Sequence, residues 1–174
     1  IGTDFLVINK EVNMIDDGNF SPLELENLKK QEFVTDAAAV YGNNFQSLVV
    51  AEVGPQSSFN TLMPLITIPN KFIDNVPDNF KWNIGDNEVP VIVPTSFFNS
   101  YNFGIAEASR SPKVTKELIS HIKPKLKVGN EIWYKVHIVS FSDRFADGVI
   151  VPENFMQYNN EKFGITNIKK VNRI

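Results

Sequence analysis

The 174-residue chain holds two histidines, His121 and His137, and no cysteine. That excludes a disulfide framework, a thiolate metal site, a cysteine nucleophile and a three-histidine zinc site, while a mixed histidine and carboxylate site stays open. His121 falls late in a stretch expected to be helical, where a cation is favoured by the helix dipole. His137 sits beside Lys135 in a strand-like run, on the face opposite Val136 and Ile138, and reads as solvent-facing. Among the acids, Asp16-Asp17 reads as a turn and lacks the loop of spaced oxygen ligands that calcium needs. Asp143 and Asp147 flank Arg144 and Phe145, the pattern of loop ion pairing. Paired carboxylates can cleave glycosides, but nothing in the spacing selects this pair. The chain has no G-x-x-x-x-G-K-[ST], G-x-G-x-x-G, H-E-x-x-H or G-x-S-x-G, so ATP hydrolysis by these residues is not expected.

Charge gives a weaker signal of a different kind. Residues 1–77 carry 4 basic and 10 acidic side chains, and residues 78–174 carry 13 and 10. Arg110, Lys113, Lys116, Lys123, Lys125 and Lys127 place six cations against Glu117. Such a stretch reads either as a solvated face or as a docking surface for an anionic partner: phospholipid headgroups, an acidic protein or a cell-wall polymer. Aromatics do not alternate with these charges and the net charge is −3, so a nucleic-acid partner is disfavoured. Trp82 reads as an aromatic lid on the core, with a ligand platform as the alternative.

The elements that must position these residues are partly visible. Residues 4–9 are short, apolar and partly β-branched, and predict a strand buried on both sides. Ser21, Pro22 and Glu24 form a capping box with proline at N1, predicting a helix over about 22–31 with Leu25 and Leu28 inward. Residues 34–53 look extended, with Phe45, Val49, Ala51 and Val53 on one face and a break at Gly42-Asn43-Asn44. A further extended segment covers about 60–68, and Val89–Val93 is a short strand. A helix is expected at about 116–122, with Thr115 as N-cap and Pro124 as its stop. Strands at 125–128 and 132–141 surround a Gly129-Asn130 turn, 148–151 is a short strand, 153–160 a short helix, and 165–174 a last extended piece. One pattern occurs three times: Ile68-Pro69 leading to Phe72, Val93-Pro94 leading to Phe97, and Val151-Pro152 leading to Phe155. It predicts a strand that stops at proline and turns into a short helix, with the phenylalanine plugging the core. The spacings of 25 and 58 are unequal, so it is a recurring joint rather than a solenoid.

The order of these elements resembles the periplasmic core domain of MacB/FtsX-like permeases, the membrane subunits of one type of ABC transporter. The resemblance rests on Asp4–Lys10, on Phe20–Gln31 with Phe33-Val34, and on Val76-Pro77-Asp78 with Lys81-Trp82 and Gly85-Asp86. It continues through Val89–Pro94, Tyr101–Gly104, Val139–Arg144, Val149–Glu153 and Phe155-Met156. Residues 35–62 match only loosely. The resemblance implies an α+β fold in two parts. One is an incomplete porter-like βαβ lobe at 1–74, joined by a strand from 160–174; in the family this lobe continues beyond the point where these residues stop. The other is an inserted, smaller, mixed α/β lobe of the Sabre type at 75–159. It also implies an excised piece of an inner-membrane protein, with this domain in the periplasm and transmembrane helices on either side.

The implied partners are a second permease copy or paralogue, a separate cytoplasmic ATPase, and a periplasmic protein, lipoprotein or peptide. No catalytic residue, cofactor or metal is implied. If the domain touches a partner, the expected surface is Trp82, Tyr101 and Phe103 with the basic residues Arg110, Lys113, Lys116, Lys123, Lys125 and Lys127. A secreted module binding peptide or glycan, and a small hydrolase using carboxylates, are the alternative classes.

Overall fold

The computed structural model describes residues 5–10, 19–52, 58–100, 102–103, 113, 115, 117, 119, 122–130, 132–146, 148–165 and 174. Their strands are β1 (Tyr41–Gly42), β2 (Ser47–Glu52), β3 (Ser58–Leu62), β4 (Leu65–Thr67), β5 (Glu88–Pro94), β6 (Lys125–Val128), β7 (Ile132–Ser142) and β8 (Val149–Ile150). All eight join one mixed sheet in the order β1-β4-β8-β5-β7-β6-β2-β3. The helices that are continuous among the described residues are α1 (Pro22–Lys29), α2 (Thr95–Ser100) and α3 (Glu153–Phe163), with a 3-10 turn at Asn70–Phe72. The fold is α+β. Strands from both parts of the expected division, β1–β4 from one and β5–β8 from the other, are hydrogen-bonded into this sheet.

Local sequence chemistry explains several of these elements. At α1 the Glu24 amide donates to the Ser21 hydroxyl at 3.2 Å, and the Ser21 amide donates to the Glu24 carboxylate at 2.7 Å. That reciprocal pair satisfies two donors that a helix start leaves open. The same amide, the Ser21 hydroxyl and the Lys10 ammonium hold the Glu24 carboxyl down at about 2, from an ordinary value of 4.5. A carboxylate depressed in this way supports the fold above its unfolded pKa and loses that contribution as pH falls from about 4.5 through about 2. A carbon NMR titration is expected to find Glu24 titrating near 2. Ser21→Ala is expected to move it upward, and an unmoved midpoint would show that the cap does not set it.

All three proline joints are present. β4 runs to Pro69 and the 3-10 turn, β5 ends at Pro94 as α2 begins, and β8 runs to Pro152 and α3. The Pro69 and Pro152 carbonyls accept the first helical bonds, from Phe72 and Met156. Phe72 and Phe97 are half-buried and Phe155 is fully buried. The Gly129-Asn130 turn also forms, with Gly129 at φ +57°, a left-handed conformation that suits glycine.

The sheet buries both faces at its centre. On the first face Val89, Val91 and Val93 of β5 pack with Trp82, Leu126, Tyr134, Val149, Phe155 and Met156. On the second, Ile92 packs with Val40, Ile66, Ile68, Ile73, Phe80, Phe145 and Ile150. The parallel pairing of β5 with β7 shifts register between Val91 and Ile92, opposite Ile138 and Ser140, which leaves Val139 as an extra residue. Strict alternation from Tyr134, Val136 and Ile138 would turn Phe141 to the second face. The bulge returns Phe141 to the first face, turns Ser140 to the second opposite Ile92, and leaves Val139 on the second face where alternation already puts it.

Other expectations are corrected. Residues 5–9 are not a strand buried on both sides: Phe5, Leu6 and Asn9 are exposed, and Asn9 makes an isolated bridge. Ile8 exchanges backbone hydrogen bonds with Ile174, at 2.9 and 3.1 Å, outside the main sheet. The segment expected at 60–68 is two strands, β3 and β4, broken at Met63-Pro64. Helix α3 continues to Phe163, so 160–163 is helical rather than extended. Of the expected 116–122 helix, Glu117 and Ile119 are helical, and Ile119 donates to the Thr115 carbonyl as an N-cap assignment requires. His121, Asp16-Asp17 and most of 165–174 lie outside the described residues.

Candidate partner-binding surface

The expected surface residues separate into four groups. Trp82 is 1% exposed. Its ring meets Phe155 at 5.2 Å and 89°, Tyr158 at 5.5 Å, and Tyr134 at 6.3 Å. A side chain so enclosed packs the core and offers nothing to a partner, which corrects its place in the expected surface. Phe103 is 68% exposed and lies under the Lys113 ammonium, 5.1 Å from the ring centroid. Tyr101, Arg110 and Lys116 lie outside the described residues. Lys123 precedes β6, while Lys125 and Lys127 lie on it.

Strand register shows what accompanies Lys125 and Lys127. Lys127 stands opposite Trp133 of β7 and opposite Leu48 of β2, and Leu48 stands opposite Leu62 of β3. The next row is Glu88 of β5, then Lys135, Lys125, Val50 and Asn60. Both rows lie on the second face, because their neighbours along each strand (Tyr134, Leu126 and Val49) pack on the first. The second cluster closes that face only over the β4, β8 and β5 part of the sheet. Beyond it, Trp133 is 48% and Leu62 61% exposed. Lys127 stands 5.8 Å from the Trp133 ring centroid, a cation–π contact that holds an ammonium over an exposed indole. The surface thus combines indole, two leucines, a valine and an asparagine with three lysines, against which the single Glu88 carboxylate stands at the β5 end, so the balance is cationic.

Trp133, Lys135, Leu48 and Leu62 were not among the expected site residues. Trp133 and Lys135 were accessible to reasoning, because alternation puts them on the solvent face already assigned to His137. Leu48 and Leu62 were not, because only the pairing of β6 with β2 and of β2 with β3 brings them there.

Two other sites are polar. His137 Nδ1 lies 3.4 Å from Glu88, at the rim of an open groove of about 430 Å³ that Lys81, Asp86 and Asn87 help to line. Both partners are exposed, and an exposed pair of this kind contributes little to stability. At the far end of β7, Asp74 accepts the Ser142 hydroxyl at 2.6 Å and the Asp143 amide at 3.1 Å. Burial pushes the Asp74 carboxyl up, but those hydrogen bonds and Arg144 outweigh it and leave it below the usual value. Arg144 donates to the Phe72 carbonyl at 3.1 Å and lies 5.2 Å from the Phe5 ring centroid. Asp74 is therefore a satisfied loop anchor, a role the sequence reading missed. Asp147, the expected companion of Asp143, lies outside the described residues. Among the described residues no three of His, Cys, Asp and Glu are placed to hold a metal ion. No helix among them is long and apolar enough to cross a membrane.

The family model described as "Probable transporter periplasmic core domain" matches residues 6–174. The chain belongs to this family of transporter domains and is an extracytoplasmic, periplasmic part of a transporter. Neither the curated proteins nor the solved structures give a significant match to it.

Proposed function

We propose that this domain transmits ATP-driven motion in a MacB/FtsX-type ABC transporter of the inner membrane, while contacting a substrate or a periplasmic partner. A cytoplasmic ATPase and a second permease copy supply the motion, and the domain itself performs no chemistry. The observation that carries this reading is the bridge between Ile8 and Ile174. It gathers the two ends of the matched segment at one place, as a domain inserted between membrane segments requires. Phe5, close to that bridge in sequence, packs edge-on against Phe145 at 5.4 Å, just past the end of β7. The cationic and aromatic rows lie at the other end of the same strand.

These 174 residues contain no cysteine, so in a transporter cleared of any cysteine elsewhere a single introduced one reports on this domain alone. In the full-length transporter in cells with a permeabilised outer membrane, Phe33→Cys, at an exposed position outside the two rows, is expected to react with a maleimide that cannot cross the inner membrane. Failure to react before cell lysis would refute the extracytoplasmic placement. Spin labels at the same position in two copies are then expected to change separation between the ATP-bound and nucleotide-free states. An unchanged separation would refute motion coupling.

The two parts of the chain, 1–74 with 160–174 and 75–159, act in this proposal as one mechanical unit. Support comes from β4 pairing in parallel with β8, at Leu65 with Val149 and Ile66 with Ile150. Thermal unfolding followed by far-ultraviolet circular dichroism and by fluorescence of Trp82 and Trp133 is expected to give coincident transitions. Two separated transitions would mean that the parts unfold as independent lobes.

A further inference from the structure

We infer that the rows Trp133–Lys127–Leu48–Leu62 and Lys135–Lys125–Val50–Asn60 form a membrane-distal dock for an acidic, amphipathic segment of another periplasmic protein. This rests on the domain being extracytoplasmic and tethered near the Ile8–Ile174 bridge, as proposed above. Charge complementarity is the first argument. Lys125, Lys127 and Lys135 frame the apolar side chains, so an occupant carrying carboxylates beside its own apolar residues satisfies both parts of the surface. An apolar occupant would strand the ammonium groups, and a cationic one would be repelled.

Position is the second argument, and it decides between a protein and a lipid. From Trp133 to Ser142 the strand spans nine residue steps, about 30 Å at roughly 3.3 Å per residue. The tether lies by Phe145 and Phe5 at the Ser142 end. Anionic headgroups also offer negative charge, but a surface about 30 Å along the strand from the tether is better placed for a protein partner than for the bilayer that holds the tether. Openness is the third. Leu62 belongs to β3, the outermost strand of the sheet, so the apolar row runs out to an edge with no described neighbour beyond it.

The test uses the full-length transporter in its own membrane. A photo-crosslinking residue replaces Leu62 in one strain and, as a control away from the face, Leu23 of α1 in another. The expected result is a protein adduct from position 62 that is absent from position 23, with its crosslinked segment rich in Asp or Glu beside apolar residues. K125E/K127E/K135E is expected to lower its yield about tenfold, and the three Lys→Arg changes to retain it. If the triple reversal reduces the amount of protein, K125Q/K127Q/K135Q takes its place. A lipid adduct, an adduct to a second copy of this chain, no adduct at position 62, or a yield indifferent to these charges would each overturn the inference. Labelling of Phe33→Cys from outside separates the two readings. Labelling without such an adduct refutes the dock alone, and no labelling refutes the periplasmic placement beneath it.

Discussion

Trp82→Ala lowers the free energy of unfolding by about 3–5 kcal/mol, the range for truncating a large aromatic side chain in a core. Natural domains hold about 5–15 kcal/mol in total, so the variant is expected to unfold in far less denaturant or not to accumulate. The size of the effect follows from the cluster. Phe155 meets both Trp82 and Tyr134, the latter at 5.0 Å and 75°. The Tyr134 hydroxyl donates to Asn159 at 3.2 Å, and Asn159 donates to the Phe155 carbonyl at 2.9 Å. Asn154 also donates to the Trp82 carbonyl, tying the first turn of α3 to the segment ahead of β5. Removing the indole therefore opens a void among residues that position one another. Trp82→Phe is expected to cost clearly less. It keeps ring packing and removes an indole N–H that is buried without a hydrogen-bond partner. Denaturant titration of both variants checks this. If Trp82→Ala left stability within 1 kcal/mol or so of the parent, the side chain would not be a core element.

Asn43→Ala is the second large effect, expected at about 2–4 kcal/mol, because it leaves several polar groups without partners at once. The Asn43 side chain accepts from the Leu65 amide at 2.8 Å, and donates to the Phe45 carbonyl at 2.7 Å and to the Ser47 hydroxyl at 3.1 Å. Leu65 and Phe45 are both buried, so water does not readily replace the lost bonds. This side chain links the break between β1 and β2 to the start of β4. The Asn44 amide donates to Asn160 at 2.8 Å, so the same break is held to α3. Asn43→Asp keeps the acceptor for the Leu65 amide and loses both donors, and is expected to fall between parent and Ala. Equal losses in the Asp and Ala variants would show that the bond to Leu65 is not the one that matters. Crowding near the same joint gives an independent check. A Cβ on Gly164 would stand 2.3 Å from the Asn160 carbonyl oxygen, so Gly164→Ala must displace backbone and is also destabilising.

Elements governed by neighbouring residues were legible in the sequence. Ser21, Pro22 and Glu24 specify the start of α1 within four positions. The proline joints combine a missing donor with a fixed φ, and Gly129 supplies a left-handed turn; none of these needs distant partners. Strand order was not legible. Placing β8 between β4 and β5, or β6 against β2, depends on contacts between residues far apart in the chain. Trp82 shows the boundary between the two cases. Its flanking residues Lys81 and Asn83 suit a surface, and only the approach of α3 from more than seventy positions away encloses it. The candidate dock has the same origin. Lys125 and Lys127 stood out as a charge run, but their apolar companions lie on three other strands. The Val139 bulge was invisible, since nothing in Ile138-Val139-Ser140 marks which residue drops out of register.

The clasp between Ile8 and Ile174 has a mechanical consequence. If whatever holds the two ends is drawn apart, the load meets these two hydrogen bonds before it reaches the pairing of β5 with β7. A modest tug can then unfasten the neck while the body keeps its shape, and the clasp can close again once the tension is released. When both ends move together, no tension reaches the sheet through this clasp.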